Sequence, residues 1–510
     1  MGNVLVLNMG MKSIRSIVFA ADGEKLASAA RPLESFLNGD MVEQNPVEWW
    51  EKAREVIRES LRDIGKDNIE AITVTTSSAC LVCVDSDGNP LGKCIMVSDK
   101  RARAESDALS KLPAFQAVSQ QTGIGADAYL MLPKIMWIKR HEPDIFARTY
   151  KFCSPNDFFI GKLTGRYVTD GFNAQKYHYD MKKDVYPAAL LQVLGIAAAT
   201  LPEVVRLGTI AGSIKEAVAE YLGLNSKVKV VVTTYDAICS FFGSGVSQEG
   251  DASDVSGTVT VFRAFSRKKD LIPNPEIFVT RYPEWNINIV GGSNNLGGGL
   301  IEWVKQCYYQ NEAYPYEVME KDAGEAQLGA GGLIFLPYLL GERAPLWNMD
   351  ARGVFFGLER RHTRKEMTRA VFESTGFIDM DMMRAVEKTG VKVSAVCLSG
   401  GLARLNLVSQ IKADIMGIDV HVLSEFETTS TGAAMLMLLG LGAFADVSEA
   451  AKCFAAVRMI IKPNANNHKK YQQIFGLYKD TYNSMKDLFI KRKDLVNALY
   501  SKHEVVIENL

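Results

Sequence analysis

One carboxylate and two glycine-bearing turns are the residues in this chain best suited to chemistry. Asp236 follows the apolar run Val228 to Thr233 and opens the small-residue helix Ala237 to Phe242. Ligands collect at the carboxyl ends of such strands. The first turn is Asn8-Met9-Gly10-Met11-Lys12-Ser13, between the apolar runs Val4 to Leu7 and Ile14 to Phe19. The device returns at Ser256-Gly257-Thr258, between Ala252 to Val255 and Val259 to Phe262. A glycine among short polar residues lets backbone N–H groups approach a phosphate closely. Two such turns can clamp a nucleoside triphosphate across a cleft, one from each half. The carboxylate then accepts the proton of an attacking hydroxyl. Phosphoryl transfer needs little more from a protein than positioning and charge neutralisation, with Mg²⁺. Each piece also has a plain structural reading: an ordinary first hairpin, and an aspartate that caps a helix.

Weaker candidates surround these. Gly400-Gly401, between a strand and a helix, lets a flat base approach the backbone, or is a packing turn. Asp99 and Arg101 form a charged pair after a strand, either in a loop that reaches a polar small molecule or in a solvated surface loop. Asn156-Asp157 can contact a polyhydroxylated ligand or cap the following helix. Cys80 and Cys83 are spaced C-x-x-C, but in an apolar strand-like run positions three apart point to opposite faces. The six histidines are isolated and show no metal-ligand spacing.

Positioning these residues calls for a mixed sheet covered by helices. Val4–Leu7, Ile14–Phe19 and Gly23–Ala29 predict three antiparallel strands. Asn45-Pro46 opens a helix to about Asp63, with Trp49, Trp50, Ala53, Val56, Ile57 and Leu61 on one face. Strands at 71–75, 81–84 and 228–233 and helices at 132–140 and 158–163 complete the first half. The pattern then restarts. Strands are expected at 252–255, 259–262, 277–281 and 287–290, then a helix at 300–309 behind Gly297-Gly298-Gly299 and a long helix at 364–387. A strand at 395–398, a helix at 405–416, a strand at 420–423 and a buried helix from Gly432 follow. The expectation is a duplicated α/β fold with a central cleft. Its parts are residues 1–247, residues 248–445, and residues 446–510 as helices that close the structure and end in a Lys-rich tail.

The composition narrows the partners. The chain has 510 residues, of which 47% are hydrophobic and 23% charged, enough for more than one sizeable core. Lys and Arg number 58 against 59 Asp and Glu. A net charge of −1 gives no electrostatic footprint for nucleic acid or an anionic membrane. The apolar start lacks a basic region, and the longest apolar stretch, Gly432 to Phe444, is too short to span a bilayer. Eight scattered cysteines suit a reducing compartment, so the cytoplasm is the default.

Together the motifs resemble the FGGY carbohydrate kinases, a branch of the actin/hexokinase/Hsp70-like ATPases. The resemblance runs from the opening hairpin with Gly10, Ser13 and Arg15 through Glu43-Gln44-Asn45-Pro46, Glu48-Trp49-Trp50 and Asp99-x-Arg101-Ala102. It continues with Asn156-Asp157-Phe158, Leu163-Thr164-Gly165, Thr169-Asp170, Asp236-Ala237 and Gly257-Thr258. The most specific run is Leu336-Pro337-Tyr338-x-x-Gly341-Glu342-Arg343-Ala344-Pro345-x-Trp347. Arg369-Ala370 with Glu373, Ser399-Gly400-Gly401-x-Ala403-Arg404, Gln410-x-x-Ala413-Asp414 and Thr431-Gly432-Ala433-Ala434 complete it.

What the resemblance implies is two ribonuclease-H-like domains that close on ATP and a small sugar. Residues 1–247 would bind the sugar and residues 248–445 the ATP. Asp236 would be the general base. Gly10, Met11, Lys12, Ser13 and Arg15, with Gly257, Thr258 and Gly298, would hold the phosphates; Gly400, Gly401 and Arg404 would border the adenosine. Ser77, Ser78, Ala79, Asp99 and Arg101 would face the sugar beside Asp236, and Mg²⁺ would be met from Asn8 and Asp236. The architecture is most similar to the xylulose kinases, which makes a ketose such as xylulose the expected acceptor, and a homodimer is expected.

The chain departs from the family at several positions. Asn8 stands where an Asp is usual, and it offers an oxygen but no charge, whereas Mg²⁺ favours carboxylates. Lys12 can approach a phosphate as a point charge. Val97 replaces a tryptophan, Thr76-Ser77 a Gly-Gln, and Leu402 and Leu405 a Gly and a Ser. Val97 and Ser13-Ile14-Arg15 are also similar to the autoinducer kinases. A polyol kinase of the same family, or a weakly active sugar- and nucleotide-binding sensor prompted by Asn8, is the alternative expectation.

Overall fold

The computed structural model describes residues 2–425 and 427–500. In chain order the first elements are β1 (Asn3–Met9), β2 (Ser13–Phe19), β3 (Lys25–Pro32), α1 (Pro46–Ser60) and β4 (Ile69–Thr76). They are followed by α2 (Met131–His141), α3 (Pro155–Thr164), β5 (Ile210–Ser213), β6 (Lys229–Val231) and α4 (Asp236–Gly243). The second series is β7 (Asp251–Ser256), β8 (Thr260–Ser266), β9 (Phe278–Tyr282), β10 (Ile287–Ser293), α5 (Gly298–Tyr308), α6 (Arg364–Glu387), β11 (Ala395–Gly400), α7 (Asn406–Met416) and β12 (Asp419–Leu423). The chain ends with α8 (Thr428–Gly440), α9 (Val447–Phe454), β13 (Val457–Ile461) and α10 (Ala465–Tyr500).

These elements form two units. One comprises Met1–Ser247, Arg281–Asn286 and Glu427–Ala455; the other comprises Gln248–Thr280, Ile287–Phe426 and Ala456–Leu510. In the first unit the sheet order is β5-β6-β4-β1-β2-β3. In the second, written from the same end, it is β13-β12-β11-β7-β8-β10-β9. The sense of each pairing repeats as well. β1 pairs antiparallel with β2 and parallel with β4, while β7 pairs antiparallel with β8 and parallel with β11. The edge strands β5 and β13 both run antiparallel to their neighbours. Six strands of one sheet thus map onto six of the other, and the duplicated α/β fold expected from the sequence is observed. β1 and β7 are central in their sheets, and Val4, Leu5, Val6 and Leu7 are all buried, as a strand covered on both faces requires.

The helix signals behave as the residues dictate. The Asn45 side chain accepts from Val47 N, with Pro46 in the first helical turn of α1. Ser154 and Asp157 form a reciprocal capping box at the start of α3, and Thr363 and Glu366 do the same for α6.

Three details differ from the expected pattern. β6 stops at Val231 rather than 233: Val232 N donates to Thr209 O at 2.9 Å and Val232 O accepts from Gly208 N at 2.8 Å, while the Thr233 hydroxyl bonds Thr73 Oγ1 (2.7 Å) and Val74 O (3.2 Å). Residues 457–461 are a strand where only helices were expected, since β13 pairs with β12 as a sheet edge. The buried helix begins at Thr428, four residues before Gly432, and belongs with the first unit. Two glycines make that attachment possible. A Cβ on Gly243 would stand 2.0 Å from Thr428 O, and one on Gly432 would stand 1.8 Å from Cys239 O, so α4 and α8 cross backbone to backbone. Among the described residues no helix is long and apolar enough to cross a membrane.

Candidate functional site

In the first unit the carboxyl ends of β1 and β4 and the segment after β6 carry the polar residues. The β1–β4 register sets Asn8 opposite Thr75 and Met9 opposite Thr76, and Ser77 N then donates to Met9 O at 3.2 Å. Thr76 Oγ1 donates to Asn156 Oδ1, while Asn156 Nδ2 donates to Val74 O at 2.9 Å and Thr234 O at 3.4 Å. Asn156 is therefore a tie between β4 and the approach to Asp236. Its neighbour Asp157 answers the Ser154 cap of α3 in the capping box, and burial pushes its carboxyl up to about 7.

Asp236 is the first residue of α4 and half-buried. Its Oδ2 accepts from Ser77 Oγ at 3.2 Å and its Oδ1 from Ala237 N at 2.7 Å. The positive end of the helix dipole favours the ionised carboxylate there. Ser77, the first residue of the Ser77–Ala79 segment expected at the sugar, thus touches the expected base directly. Ala79, the third, has a positive φ of 55°, held by Lys134 on α2. Lys134 is fully buried, and its Nζ donates to Ala79 O at 2.6 Å and Met96 O at 2.9 Å. Burial lowers its pKa. In sequence it is one lysine between Leu132 and Ile135, with nothing to separate it from a surface residue.

Asp99 and Arg101 are not in a solvated loop. Asp99 is 1% exposed and takes Val42 N at 2.7 Å, and Arg101 grips it with Nε and Nη2. Arg101 Nη2 also donates to Glu43 Oε1 at 2.8 Å, and its guanidinium lies 4.8 Å from the Trp137 ring. Both charges are neutralised inside the protein. The adjacent Gln44 donates from Nε2 to Met11 O at 2.8 Å and accepts from Trp49 Nε1 at 3.0 Å. The Glu43-Gln44-Asn45-Pro46 motif thereby serves three tasks: holding Arg101, holding the first turn and capping α1.

The first turn is closed by Gly10 N donating to Ser13 O at 3.0 Å. A Cβ on Gly10 would meet nothing within 4 Å, and its φ is not positive, so the fold of this unit does not by itself require glycine there. Lys12 and Arg15 are exposed. Asn8 is 6% exposed, and its Nδ2 donates to Glu427 Oε1 at 3.1 Å and Ser430 Oγ at 3.0 Å. Arg15 Nη1 lies 3.9 Å from the same Glu427 oxygen, and Glu427 Oε2 accepts from Ser430 N at 3.1 Å. The carboxylate that β1 lacks is present on the cap of α8. Sequence reasoning missed Glu427 because 419 residues separate it from Asn8.

In the second unit Ser256 faces Thr260 across the β7–β8 turn and Gly400 across the β7–β11 pair. Gly298 N donates to Gly257 O at 2.7 Å, and Gly297 N and Gly299 N donate to Thr258 O at 2.8 and 3.1 Å. Gly257, Thr258, Gly298, Gly400 and Gly401, expected around ATP, thus meet at one end of this sheet, with exposed Arg404 just beyond. Gly400 has φ +84°, and a Cβ there would stand 2.5 Å from Ser256 O. Gly257 and Gly401 face open space by the same measure, apart from single carbonyls at 3.8 and 3.9 Å.

The run Leu336 to Trp347 supports this turn from one side. Glu342 Oε1 accepts Asn295 N at 2.8 Å, and Arg343 Nη2 donates to Asn294 O at 2.6 Å. Asn294 Oδ1 in turn accepts Thr260 N at 2.7 Å. Burial pushes the Glu342 carboxyl up to about 7.

Taken separately, the open Gly10 of the first unit and the open Gly257 and Gly401 of the second each leave room for a phosphate to approach the backbone. Among the described residues no three His, Cys, Asp or Glu side chains group to hold a metal ion.

Comparison with known proteins follows the same division. The model for the FGGY family of carbohydrate kinases, N-terminal domain, matches residues 3–243, and that for the C-terminal domain matches residues 253–441. The xylulose kinase of Staphylococcus xylosus is 27% identical over 489 residues, covering 94% of this chain and 100% of that one. The gluconokinase of Bacillus licheniformis is 24% identical, covering 98% and 99%. Among solved structures, ligand-bound xylulose kinase from Lactobacillus acidophilus matches with a TM-score of 0.87 at 26% identity, covering 96% and 100%. Gluconate kinase from the same organism matches with a TM-score of 0.86 at 26% identity, covering 96% and 99%.

Proposed function

The chain belongs to the FGGY family of carbohydrate kinases, which are ATP-dependent phosphotransferases, and from that premise we propose that it phosphorylates a hydroxyl of a neutral ketose such as xylulose, with Asp236 as general base. The observation that carries this reading is the Ser77–Asp236 contact at 3.2 Å. It joins the expected base to the expected sugar segment. Asp236 takes the proton of the attacking hydroxyl, and that oxygen forms its bond to the γ-phosphorus as the bond to ADP breaks. Ser77 and the first turn of α4 orient the carboxylate. Gly10 to Ser13 and Gly257-Thr258 supply amides to the phosphates, and Lys12 and Arg15 supply positive charge. Asn8, through its oxygen, and Asp236 would meet Mg²⁺, which screens the phosphate charge when bound.

The choice of a neutral sugar over an aldonate rests on charge. An acid sugar needs a cation to meet its carboxylate. Arg101 is already committed to Asp99 and Glu43, and Lys134 to two carbonyls. The relatives named xylulose kinase support the same choice. In the test, Asp236→Ala loses roughly 10²–10⁴-fold in turnover while ATP binding, followed by calorimetry, persists. Near-normal turnover would sink the assignment of the base. A thermal-shift screen of ketoses, polyols and aldonates with an ATP analogue identifies the acceptor, since a ligand of the native state raises its apparent stability. Stabilisation by gluconate alone would overturn the ketose.

A further inference from the structure

Beneath the second turn lies a cluster of buried charges for which the phosphoryl-transfer reading has no use. Lys412 on α7, Asp254 on β7 and Asp379 on α6 are each 0% exposed. Lys412 Nζ is bonded to Asp254 Oδ2, lies 2.7 Å from Asp379 Oδ2 and donates to Ser256 Oγ at 3.0 Å. The Ser256 hydroxyl donates to Asp254 Oδ1 at 2.6 Å and stands 3.1 Å from Thr260 Oγ1. One hydroxyl thus spans the base of the turn from Ser256 to Thr260, and one ammonium fixes that hydroxyl.

We propose that Lys412 is a positioning residue for the nucleotide half of the site: its ammonium, compensated by Asp254 and Asp379, locks the Ser256 hydroxyl and so sets the Ser256–Thr260 backbone that meets the phosphates. This rests on the nucleotide reading of that turn.

Three arguments carry it. First, the charges are costly where they lie. Val408, Ile411, Ala413 and Ile415 of the same helix are buried hydrophobics, and apolar side chains in place of a buried ionic cluster are often neutral or stabilising. Packing alone does not call for a lysine. Second, the cluster is attached to the turn at its most connected residue. Ser256 pairs with Gly400 and its carbonyl lies against Gly400, so a shift there moves both the phosphate turn and the Gly400-Gly401 turn. Third, the cluster balances its charge. Lys412 lies between the two carboxylates, and burial and the neighbouring Asp254 push the Asp379 carboxyl well up. An unbalanced negative charge under a phosphate site would oppose binding.

The test uses the full chain and two variants. Lys412→Met alone strands two buried carboxylates and can fail to fold, so it is combined with Asp254→Leu and Asp379→Leu. Ser256→Ala keeps the cluster and removes only the hydroxyl. For both variants the melting temperature is expected to stay within about 5 °C of the parent. Hydrogen exchange at the Thr260 amide is expected to accelerate at least about tenfold, and KM for ATP to rise by a similar factor, with sugar KM unchanged. A stable triple variant with parental exchange and ATP KM, or a silent Ser256→Ala, overturns the proposal. If the triple variant does not fold, Ser256→Ala decides alone. A parent protein that binds no ATP overturns the kinase reading instead, and the exchange data still judge the link between Lys412 and the turn.

Discussion

The two glycine turns occupy equivalent places in equivalent sheets, yet they are held in opposite ways. The first is supported by neutral groups and a half-buried carboxylate: Gln44 on Met11 O, and Asn8 tied to Glu427 and Ser430. Its own glycine is unconstrained. The second is embedded. Gly400 cannot carry a side chain, Asn294 pins Thr260, and a buried lysine holds Ser256 from below. Duplication of a fold therefore preserved the backbone device and not its supports. The first turn has been left adjustable, and the second has been made part of a core.

Four substitutions sharpen or break that contrast, ordered by their expected effect on stability. Gly400→Ala forces a left-handed φ and a contact with Ser256 O, and should cost roughly 2–4 kcal/mol in urea unfolding. Loss of under about 0.5 kcal/mol would show the second turn to be as adjustable as the first. Glu342 comes next. Its folded pKa of about 7 lies above the usual carboxylate value, so its stabilising contribution is fully present below about pH 4.5 and is lost as pH rises through 7. Unfolding free energy should fall by roughly 1–3 kcal/mol between pH 5 and 8 from this group, and Glu342→Gln should flatten that slope. An unchanged slope would remove Glu342 from the account.

Asn8→Asp is third. It faces a new carboxylate toward Glu427, and should lower stability by about 1–2 kcal/mol without raising turnover. Glu427→Gln in the same chain should recover most of that loss, measured as a double-mutant cycle. A sharp gain in activity from Asn8→Asp alone would instead mark the natural site as handicapped, as the sensor alternative requires. Gly10→Ala is last. Its Cβ meets nothing, so stability should change by less than about 0.5 kcal/mol while KM for ATP rises several-fold. An unaffected KM would separate the first turn from the phosphates.

Much of the fold was legible because it is written in local periods. The apolar runs Val4 to Leu7 and Ile14 to Phe19, the Asn45-Pro46 cap and the repeat at Ser256-Gly257-Thr258 all act within a few residues. Asp236 stood out because a carboxylate at a strand end needs only local context. What escaped was long-range. Lys134 and Lys412 each sit in a helix as a single lysine, and only their distant partners distinguish them from solvated ones; Asp254 lies 158 residues from Lys412. Asp99 and Arg101 looked exposed because each charge hides the other. β13 is a five-residue edge strand, mostly exposed, with too little apolar alternation to mark it. The place of α8 depended on Gly243 and Gly432, whose importance lies in what they touch.

The return of Glu427–Ala455 to the first unit also sets the order in which the protein can be made. α8 packs on β1, β4 and α4, so the first sheet keeps an uncovered face until that helix emerges from the ribosome. Translation of the intervening chain, from Ser247 to Ala455, takes roughly 10–40 s at about 5–20 residues per second. Throughout that interval the first unit, although its first 247 residues are already made, cannot complete its core, and the second unit in turn waits for the segment after Ala455, whose Tyr471, Tyr478, Tyr482 and Phe489 are buried in its core. Both units are therefore completed only by segments made near the end of translation, and a fragment ending at Ser247 is expected to need a chaperone rather than to fold as an autonomous domain.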